Sequence, residues 1–370
     1  IRDLVRSRGL GDVYKRQKRM RLKNQGGITT STKLSSNFSG LVLALIIFSV
    51  LAITILPAVG SYAGDKPLST VAHDEVRGTV VFTLGDSTYS GQISCCNDSY
   101  TVNFDTPTVP GKDVKLARLY VYWVWSQRDN VGVYPTLAVS DGSEVLNQVI
   151  TYTDTKGFVG KYDYFSGVTV YDCAATLPIT HSDSYSVTVK NMNANGSTFS
   201  VQGIGLLVVT ECSEGDQDCP FIEYWVNEGC DMIYAEYGIT PEMAISTSYF
   251  NGAVDVENVE KAYLISVVPS GGYVSGGEKA HNSLYFNEER GWLEELPFLK
   301  QLLRLLFGLG GGVWNDVYIA DSTVQIGVDQ RDVTDYLKPS NNFAAIQDNH
   351  DYMMVTNAVL VVEKSGDGTK

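Results

Sequence analysis

The sequence predicts an all-β protein with two tandem jelly-roll-like β-sandwiches and one amphipathic helix inserted in the second. Three observations lead to this prediction. The 370 residues include 22 Tyr and 35 Gly, a bias that is typical of strands and turns. Short apolar or β-branched segments, each bounded by turn-forming residues, recur from residue 64 onwards. The order of these segments then repeats in the second half of the chain.

The charge of the chain is unevenly distributed. The formal net charge is −14, but residues 1–63 carry ten basic and two acidic residues, which is +8. The remainder carries 18 basic and 40 acidic residues, which is −22. Because such a surface repels phosphate backbones, we expect no nucleic-acid partner. The same charge suits a solvated exterior, and the binding of divalent cations is an open alternative.

The N-terminal region has the pattern of a leader rather than of a folded domain. We interpret residues 1–17 as translated adapter sequence, because they are basic and show no amphipathic period. Residues 18–63 resemble a signal peptide, with an apolar run at 41–56, a helix-breaking Pro57 and the small residue Ala63 at a cleavage position. An apolar helix of that length spans about 24 Å, less than the roughly 30 Å hydrocarbon core. An uncleaved anchor is the alternative, and in both cases we predict an extracellular location for the rest.

The six cysteines agree with export, because an exported chain can oxidise an even set of thiols. Cys212 and Cys219 flank a short segment of turn formers, so we predict a disulfide between them. Cys95 and Cys96 are adjacent, and we expect no bond between them, because a vicinal disulfide strains the intervening peptide. At least one of the two should therefore reach a distant partner. The candidate partners are Cys173 and Cys230.

The segments that follow are assigned to two domains. We place the first sandwich at 64–220, the second at 221–364, and a linker-like tail at 365–370. Residues 118–125 are apolar on both alternating faces, which is typical of a central strand covered on both sides. We interpret the repeated order of segments as a duplication of one sandwich. A structure with one continuous sheet, or with the repeated segments at different positions in the two halves, would contradict this interpretation. The repeated segments are 117–121 with 262–266, 136–139 with 283–286, 171–177 with 331–337, 185–189 with 343–347, and 205–209 with 358–362.

Residues 291–307 interrupt the β pattern with a helical one. Leu296, Leu299 and Leu303 follow the spacing of three and four residues of an amphipathic helix, and Pro297 falls in its first turn. We predict that this helix packs on its own protein. Contact with a partner or a membrane is the alternative, since an exposed apolar face of this size marks an interface.

Residues 223–231 (EYWVNEGCD) hold the densest mixture of carboxylate, amide and aromatic groups. Glu228 and Asp231 could bind a structural calcium ion, which takes oxygen ligands. The two glutamates of the segment could also form an acid/base pair. We favour a third interpretation, an inter-domain crossing held by Trp225 and a disulfide of Cys230. Because the chain has no zinc-protease, nucleophile-elbow or phosphate-loop motif, we predict neither enzymatic activity nor an organic cofactor.

Two kinds of residue point to carbohydrate. Trp125, Tyr134 and Trp292 lie next to loops, where exposed aromatic rings can stack on sugars, with core or cross-strand packing as the alternative. Asn97 and Asn195 begin Asn-x-Ser sequences in polar turns, so they are candidate glycosylation sites.

Two resemblances add to these observations. Residues 332–337 and 342–346 resemble the turn and following strand of galactose-binding-like jelly rolls, and each half shows a similar order. A closer resemblance, over residues 66–363, is to an uncharacterised extracellular domain family frequent in methanogenic archaea. It implies an archaeal surface protein and assigns no catalytic or binding residue. The similar stretches are 117–125 (ARLYVYWVW), 223–231, 238–244 (GITPEMA), 314–316 (WND) and 351–354 (DYMM).

We therefore expect a role in adhesion or envelope structure at the cell surface, with glycans or other envelope proteins as partners. We expect membrane contact only through the N-terminal segment or the helix at 291–307. The alternative is an enzyme that acts on extracellular polysaccharide, or its accessory module. A solvent-open cleft lined by two or more carboxylates would favour that alternative.

Overall fold

The computed structural model describes twelve segments of the chain. They are residues 64–96, 98–105, 112–142, 144–154, 164–177, 185–213, 219–236, 238–272, 281–288, 311–320, 322–350 and 352–365. These segments are all-β, as predicted, and the only helices among them are two short 3-10 helices, Val256–Asn258 and Thr334–Tyr336. The residues that we interpret as adapter sequence (1–17) and as a signal peptide or anchor (18–63), and the predicted helix at 291–307, lie outside them. No helix in the described segments has the length and hydropathy needed to cross a membrane.

We call residues 64–220 the first half and residues 221–364 the second half. Among the described residues, the first half contains ten strands: β1 (Ser69–Thr83), β2 (Gln92–Ser94), β3 (Ser99–Phe104), β4 (Lys112–Arg128), β5 (Val131–Gly132), β6 (Leu137–Ser140), β7 (Asn147–Asp154), β8 (Phe165–Asp172), β9 (Tyr185–Asn191) and β10 (Thr198–Cys212). The second half contains eight: β11 (Phe221–Tyr234), β12 (Ile245–Ala253), β13 (Val259–Pro269), β14 (Asn282–Phe286), β15 (Gly312–Asn315), β16 (Ile326–Asp332), β17 (Ser340–Asp348) and β18 (Tyr352–Lys364).

Each half has one large and one small antiparallel sheet. In the first half the large sheet has the order β7-β8-β4-β10-β1, and the small sheet has the order β3-β9-β6. In the second half the corresponding orders are β16-β13-β18-β11 and β12-β17-β14-β15. When β8, β4, β10 and β1 are matched with β16, β13, β18 and β11, the neighbour order is the same. The small sheets match in the same way, with β3-β9-β6 in the places of β12-β17-β14.

The repeated segments of the sequence occupy equivalent places in these sheets. The five pairs fall on β4 and β13, on β6 and β14, at the ends of β8 and β16, on β9 and β17, and on β10 and β18. The two halves therefore share one strand order as well as one order of sequence segments.

The expectation that the halves would have separate sheets was wrong. Residues 69–77 of β1 pair with β11 of the second half, and residues 78–83 pair with β10 of the first half. One strand of 15 residues is long enough to pair with two partners in succession. As a result, the two large sheets form a single hydrogen-bonded path, and part of β1 belongs to the sheet of the second half. One of the two outcomes that we gave as contradicting the duplication is therefore observed, whereas the other, different positions of the repeated segments, is not.

The side chains of β4 show how the core is arranged. Leu119, Val121 and Trp123 point into a core that belongs to the first half alone. The alternating residues Tyr120 and Tyr122 point into a larger core that also contains most of the buried residues of the second half. The first half's large sheet is therefore covered on both faces, as the apolar pattern of 118–125 predicted.

Candidate functional site

A groove lies where the loop before β6 faces strands β7 and β8. Its volume is about 330 Å³, within the range of ligand pockets in proteins. The lining residues are hydroxyl, amide, aromatic and aliphatic groups without a charged side chain. They are Tyr134, Pro135, Thr136, Leu137, Gln148, Thr151, Thr153 and Thr169.

The groove exists because the two sheets of the first half have unequal widths. Strand β7 extends the large sheet beyond β8, the strand that matches the edge strand β16 of the second half. The small sheet ends at β6 within the described segments, and beyond it only a single bridge joins Ser140 to Val145. The inner face of β7 and β8 therefore extends past the small sheet, and the lining threonines lie on this overhang.

Two of the four threonines of the groove, Thr151 and Thr169, are held by a chain of hydrogen bonds that begins in the core. The indole Nε1 of the buried Trp123 donates to Oγ1 of Thr169 at 3.1 Å. The hydroxyl of Thr151 donates to the same oxygen at 3.2 Å, and Nε2 of Gln148 donates to Oγ1 of Thr151 at 3.2 Å. Because Trp123 is fixed by packing, this chain orients the hydroxyl groups of Thr151 and Thr169.

The predicted aromatic platforms differ in their surroundings. Tyr134 is 54 % exposed and lies 4.7 Å, between ring centroids, from Phe165. Trp125 is 47 % exposed and packs edge-on against Tyr164, with ring centroids 5.6 Å apart, outside the groove. Trp292 lies outside the described segments. Of the two that the structure describes, Tyr134 therefore lines the groove and Trp125 does not.

Sequence reasoning missed the polar members of this site. Thr151 and Thr153 alternate along β7 on the face that would be apolar if the small sheet covered it. The alternation of threonines along β7 was the feature of the sequence that could have indicated a polar site. Thr169 could not be found in this way, because a buried threonine in a strand has no distinguishing pattern.

A second groove, of about 420 Å³, adjoins a pair of adjacent cysteines. Cys95 and Cys96 are bonded to each other, contrary to our expectation. That expectation was based on the strain that such a bond places on the intervening peptide, whereas the Cα atoms of the two residues lie 3.1 Å apart, within reach of a bond. The groove is lined by Ser94, Cys95, Cys96, Ala194, Gly196, Ser197 and Thr198.

The other cysteines follow the prediction in part. Cys212 and Cys219 form the expected disulfide, with Cα atoms 6.5 Å apart. Cys173 and Cys230 are buried free thiols, so the predicted disulfide to a distant partner was wrong. Burial raises the pKa of the Cys173 thiol to about 12 and raises that of Cys230 as well. Both thiols are therefore protonated and behave as small apolar side chains.

Glu228 lies in strand β11, in the interface between the halves. Its carboxylate accepts a hydrogen bond from the hydroxyl of Tyr120 at 2.8 Å and another from Tyr152 at 3.3 Å. The Nε of Arg118 lies 3.6 Å from Oε1 of Glu228. Burial raises the pKa of the Glu228 carboxyl, and Arg118 and the two tyrosine hydroxyls offset part of this effect. All three partners come from the first half, so Glu228 joins the two halves.

Asp231 belongs to a different cluster from Glu228. One oxygen each of Asp65, Asp154 and Asp231 lies within 4.8 Å of the others, an arrangement that could hold a cation. The Nζ of Lys66 lies 3.1 Å from Oδ1 of Asp154, so a positive charge is already present. The carboxylate pair that we considered for calcium is therefore divided between two clusters.

The first candidate glycosylation site, Asn97, lies outside the described segments. Asn195 is exposed in a turn, and its Oδ1 accepts a hydrogen bond of 3.0 Å from the backbone nitrogen of Ser197. Its exposure leaves it as a glycosylation candidate.

The strand architecture and the groove define an all-β sandwich protein with a polar surface site. The family model "Protein of unknown function (DUF3344)" matches residues 61–363, and the chain belongs to this family. The uncharacterised domain family expected from the sequence is confirmed at that level. No curated protein matches the chain.

Among solved structures, the chain is similar to the major capsid protein P2 of bacteriophage PM2 at 9 % identity and a TM-score of 0.19, over 79 % of this chain and 100 % of that one. It is also similar to PNGase F, a glycosylasparaginase from Flavobacterium meningosepticum, at 11 % identity and a TM-score of 0.20, over 78 % of this chain and 96 % of that one. TM-scores of this size support no conclusion about this chain.

Proposed function

We propose that this protein is an extracellular, cell-surface β-sandwich protein that binds glycans through the groove at Tyr134. The observation that carries the proposal is the combination of an exposed aromatic ring with fixed hydroxyl groups in one concave site. Aromatic faces pack against the apolar C–H faces of sugars, and hydroxyl and amide groups hydrogen-bond to sugar hydroxyls. We place the protein on an archaeal envelope, in adhesion or envelope structure, on the strength of its sequence resemblance.

The proposal includes an extracellular location and two jelly-roll-like halves. The disulfide Cys212–Cys219 supports a location where thiols are oxidised. The net charge of −22 beyond residue 63 supports a solvated exterior. The shared strand order of the halves supports two sandwiches of one origin, joined through β1.

A binding role is favoured over catalysis because of where the carboxylates lie. Glu228 and Asp231 are buried in the interface between the halves, and none of the described residues that line the groove at Tyr134 is a carboxylate. Glycoside hydrolysis needs two carboxyl groups on either side of a bound sugar. The two glutamates that we considered as an acid/base pair, Glu223 and Glu228, are both buried, Glu228 against the hydroxyl of Tyr120 and Glu223 against His73 and Lys364.

The test is a glycan array with the full-length protein and two variants. We expect the wild type to retain a defined set of glycans and Tyr134→Ala to lose them, because the stacking surface is removed. Tyr249→Ala is the matched control, since Tyr249 is 51 % exposed, lies 6.2 Å from the ring of Phe343, and belongs to the second half. The proposal fails if no glycan is retained, or if both variants bind equally well.

A further inference from the structure

The structure points to a finer property of the groove at Tyr134, its selectivity. We propose that the groove takes uncharged glycans and that each chain binds one. This inference rests on the proposed function and deepens it. Two independent observations carry it: the chemistry of the lining residues, and the difference between the two halves at equivalent positions.

The first observation is the absence of charge in the lining. The polar groups are hydroxyls and one amide, which both donate and accept hydrogen bonds, as sugar hydroxyls do. A carboxylate or sulfate group on a sugar would instead need donors alone and a compensating cation, because burying an unpaired charge is costly. Among the described residues, no Lys, Arg or His lines the groove.

One cation does contact a lining residue, but its charge is already compensated. The Nζ of Lys66 donates to the backbone oxygen of Thr153 at 3.1 Å. The same ammonium group lies 3.1 Å from Oδ1 of Asp154, whose side chain is buried. Adjacent residues of a strand point to opposite faces, so this ion pair lies on the face opposite the side chain of Thr153. It therefore offers no free positive charge to an acidic sugar.

The second observation explains why one site is expected in a duplicated fold. In the second half, β15 pairs with β14 on the side where β6 has no partner strand in the described segments. Trp314 of β15 packs under the guanidinium of Arg331 in β16, 4.6 Å from ring to Cζ, and edge-on to Tyr336 at 5.5 Å. The side of β14 that corresponds to the open side of β6 is therefore covered by β15, and Trp314 connects β15 to β16.

The fixed hydroxyl groups give the groove a defined orientation for its ligand. Thr169 accepts hydrogen bonds from Trp123 and Thr151, and Thr151 accepts one from Gln148. Nε2 of Gln148 is thus used within the protein, while its amide oxygen is an acceptor for a sugar hydroxyl. Groups that are already oriented lose little entropy on binding, so each should contribute to affinity.

The experiment is isothermal titration calorimetry of the full-length protein with two matched oligosaccharides. One is a neutral glycan retained on the array, and the other is the same glycan with uronic acid in place of hexose. We expect the neutral glycan to bind with one site per chain, and the acidic one at least tenfold more weakly. We expect affinity for the neutral glycan to change less than twofold when salt is raised tenfold, because no charge pair is formed.

Thr151→Val tests the lining without changing its shape. The variant replaces a hydroxyl by a methyl group and should weaken binding about fivefold, as expected for the loss of one neutral hydrogen bond. Thr101→Val is the control, since Thr101 is paired with Thr188 at 2.9 Å on the small sheet and lies outside the groove.

The outcomes separate the two proposals. Failure of every glycan to bind would overturn the proposed function and the inference together. Binding that favours the acidic glycan, or that weakens steeply with salt, would overturn the inference while the glycan-binding function stands. Two sites per chain, or unchanged affinity in Thr151→Val, would overturn the assignment of a single uncharged site to this groove.

Discussion

The hydroxyl of Tyr120 donates a hydrogen bond of 2.8 Å to Oε1 of Glu228. Tyr120 lies on β4 of the first half and Glu228 on β11 of the second, and both are buried. A parallel contact joins the hydroxyl of Tyr122 to Oδ1 of Asn357, also at 2.8 Å. The face-to-face packing of the two large sheets therefore contains a row of specific polar contacts, which fix the position of one half against the other.

Replacement of Glu228 by Gln should change the pH dependence of stability. Burial raises the folded-state pKa of Glu228. The stability contributed by a group with a raised pKa is fully present below its unfolded pKa, and it is lost as the pH rises through the folded pKa. Gln does not ionise, so the stability of E228Q relative to the wild type should increase as the pH rises from about 4 to neutrality. Urea unfolding over this range measures the difference, and a constant difference would contradict the burial of an ionisable group here.

Removal of the Glu228 side chain should have a larger effect. Glu228→Ala leaves the hydroxyls of Tyr120 and Tyr152 and the charge of Arg118 without their shared partner. Breaking a buried charged contact of this kind costs about 3 kcal/mol. The free energy of unfolding at neutral pH should fall by that amount. A fall in the free energy of unfolding of less than about 1 kcal/mol, as is usual for solvent-exposed ion pairs, would contradict the burial of Glu228.

Gly167 of β8 should tolerate no side chain. A Cβ atom there would lie 2.4 Å from the backbone oxygen of Tyr152 and 2.6 Å from Cζ2 of Trp123. Because the backbone of β7 would have to move, Gly167→Ala should lower the free energy of unfolding by about 2 kcal/mol. Gly229→Ala is the comparison, since its Cβ would first meet the side chain of Leu68 at 3.2 Å. Equal effects of the two substitutions would contradict the close packing of β7 on β8.

The disulfide between Cys212 and Cys219 should stabilise the protein measurably. The sequence separation is seven residues, and a loop of this size contributes about 2.5 kcal/mol in the chain-entropy description. The double variant C212S/C219S should lose that much free energy of unfolding. Peptide mapping without reduction should recover Cys95 joined to Cys96, and Cys173 and Cys230 as thiols that react only after unfolding. A disulfide to Cys173 or Cys230 would contradict the structure.

Trp314 of β15 should contribute to the stability of the second half. It lies on the side of the small sheet where, in the first half, β6 has no partner strand in the described segments. Its ring contacts Arg331 and Tyr336 and is partly buried, so Trp314→Ala should cost about 2 kcal/mol, less than a fully buried tryptophan. Trp125→Ala is the matched control, because Trp125 is 47 % exposed and should cost less than about 1 kcal/mol. Thermal unfolding of both variants gives the comparison. A smaller effect at Trp314 than at Trp125 would contradict the packing of Trp314 between β15 and β16.

The sequence predicted the strands better than their partners. Alternation along β4 identified a central strand covered on both faces, because side-chain direction follows directly from strand geometry. It did not show that β1 pairs with both β10 and β11. The periodicity of a strand depends only on its own residues, whereas pairing depends on residues that are distant in sequence. The disulfide of Cys95 and Cys96 was missed because we expected strain in the intervening peptide to exclude it.

The candidate site was predicted only at its aromatic member. Tyr134 could be named because an aromatic residue beside a loop is a recognisable pattern. Its polar partners on β7 and β8 depend on how far the small sheet reaches, which no local pattern records. Glu228 belongs to the segment that we interpreted as an inter-domain crossing, but its partners Tyr120 and Tyr152 are more than 70 residues away in sequence, so no local pattern indicated them.

The most direct measurement is a crystal structure of the protein with a neutral oligosaccharide bound. We expect a sugar ring packed against Tyr134, with its hydroxyl groups at about 3 Å from the side chains of Thr151 and Gln148. The equivalent region beside Trp314 should be empty of sugar. A sugar bound at Trp125 or beside Cys95 and Cys96, with the groove at Tyr134 vacant, would contradict the account.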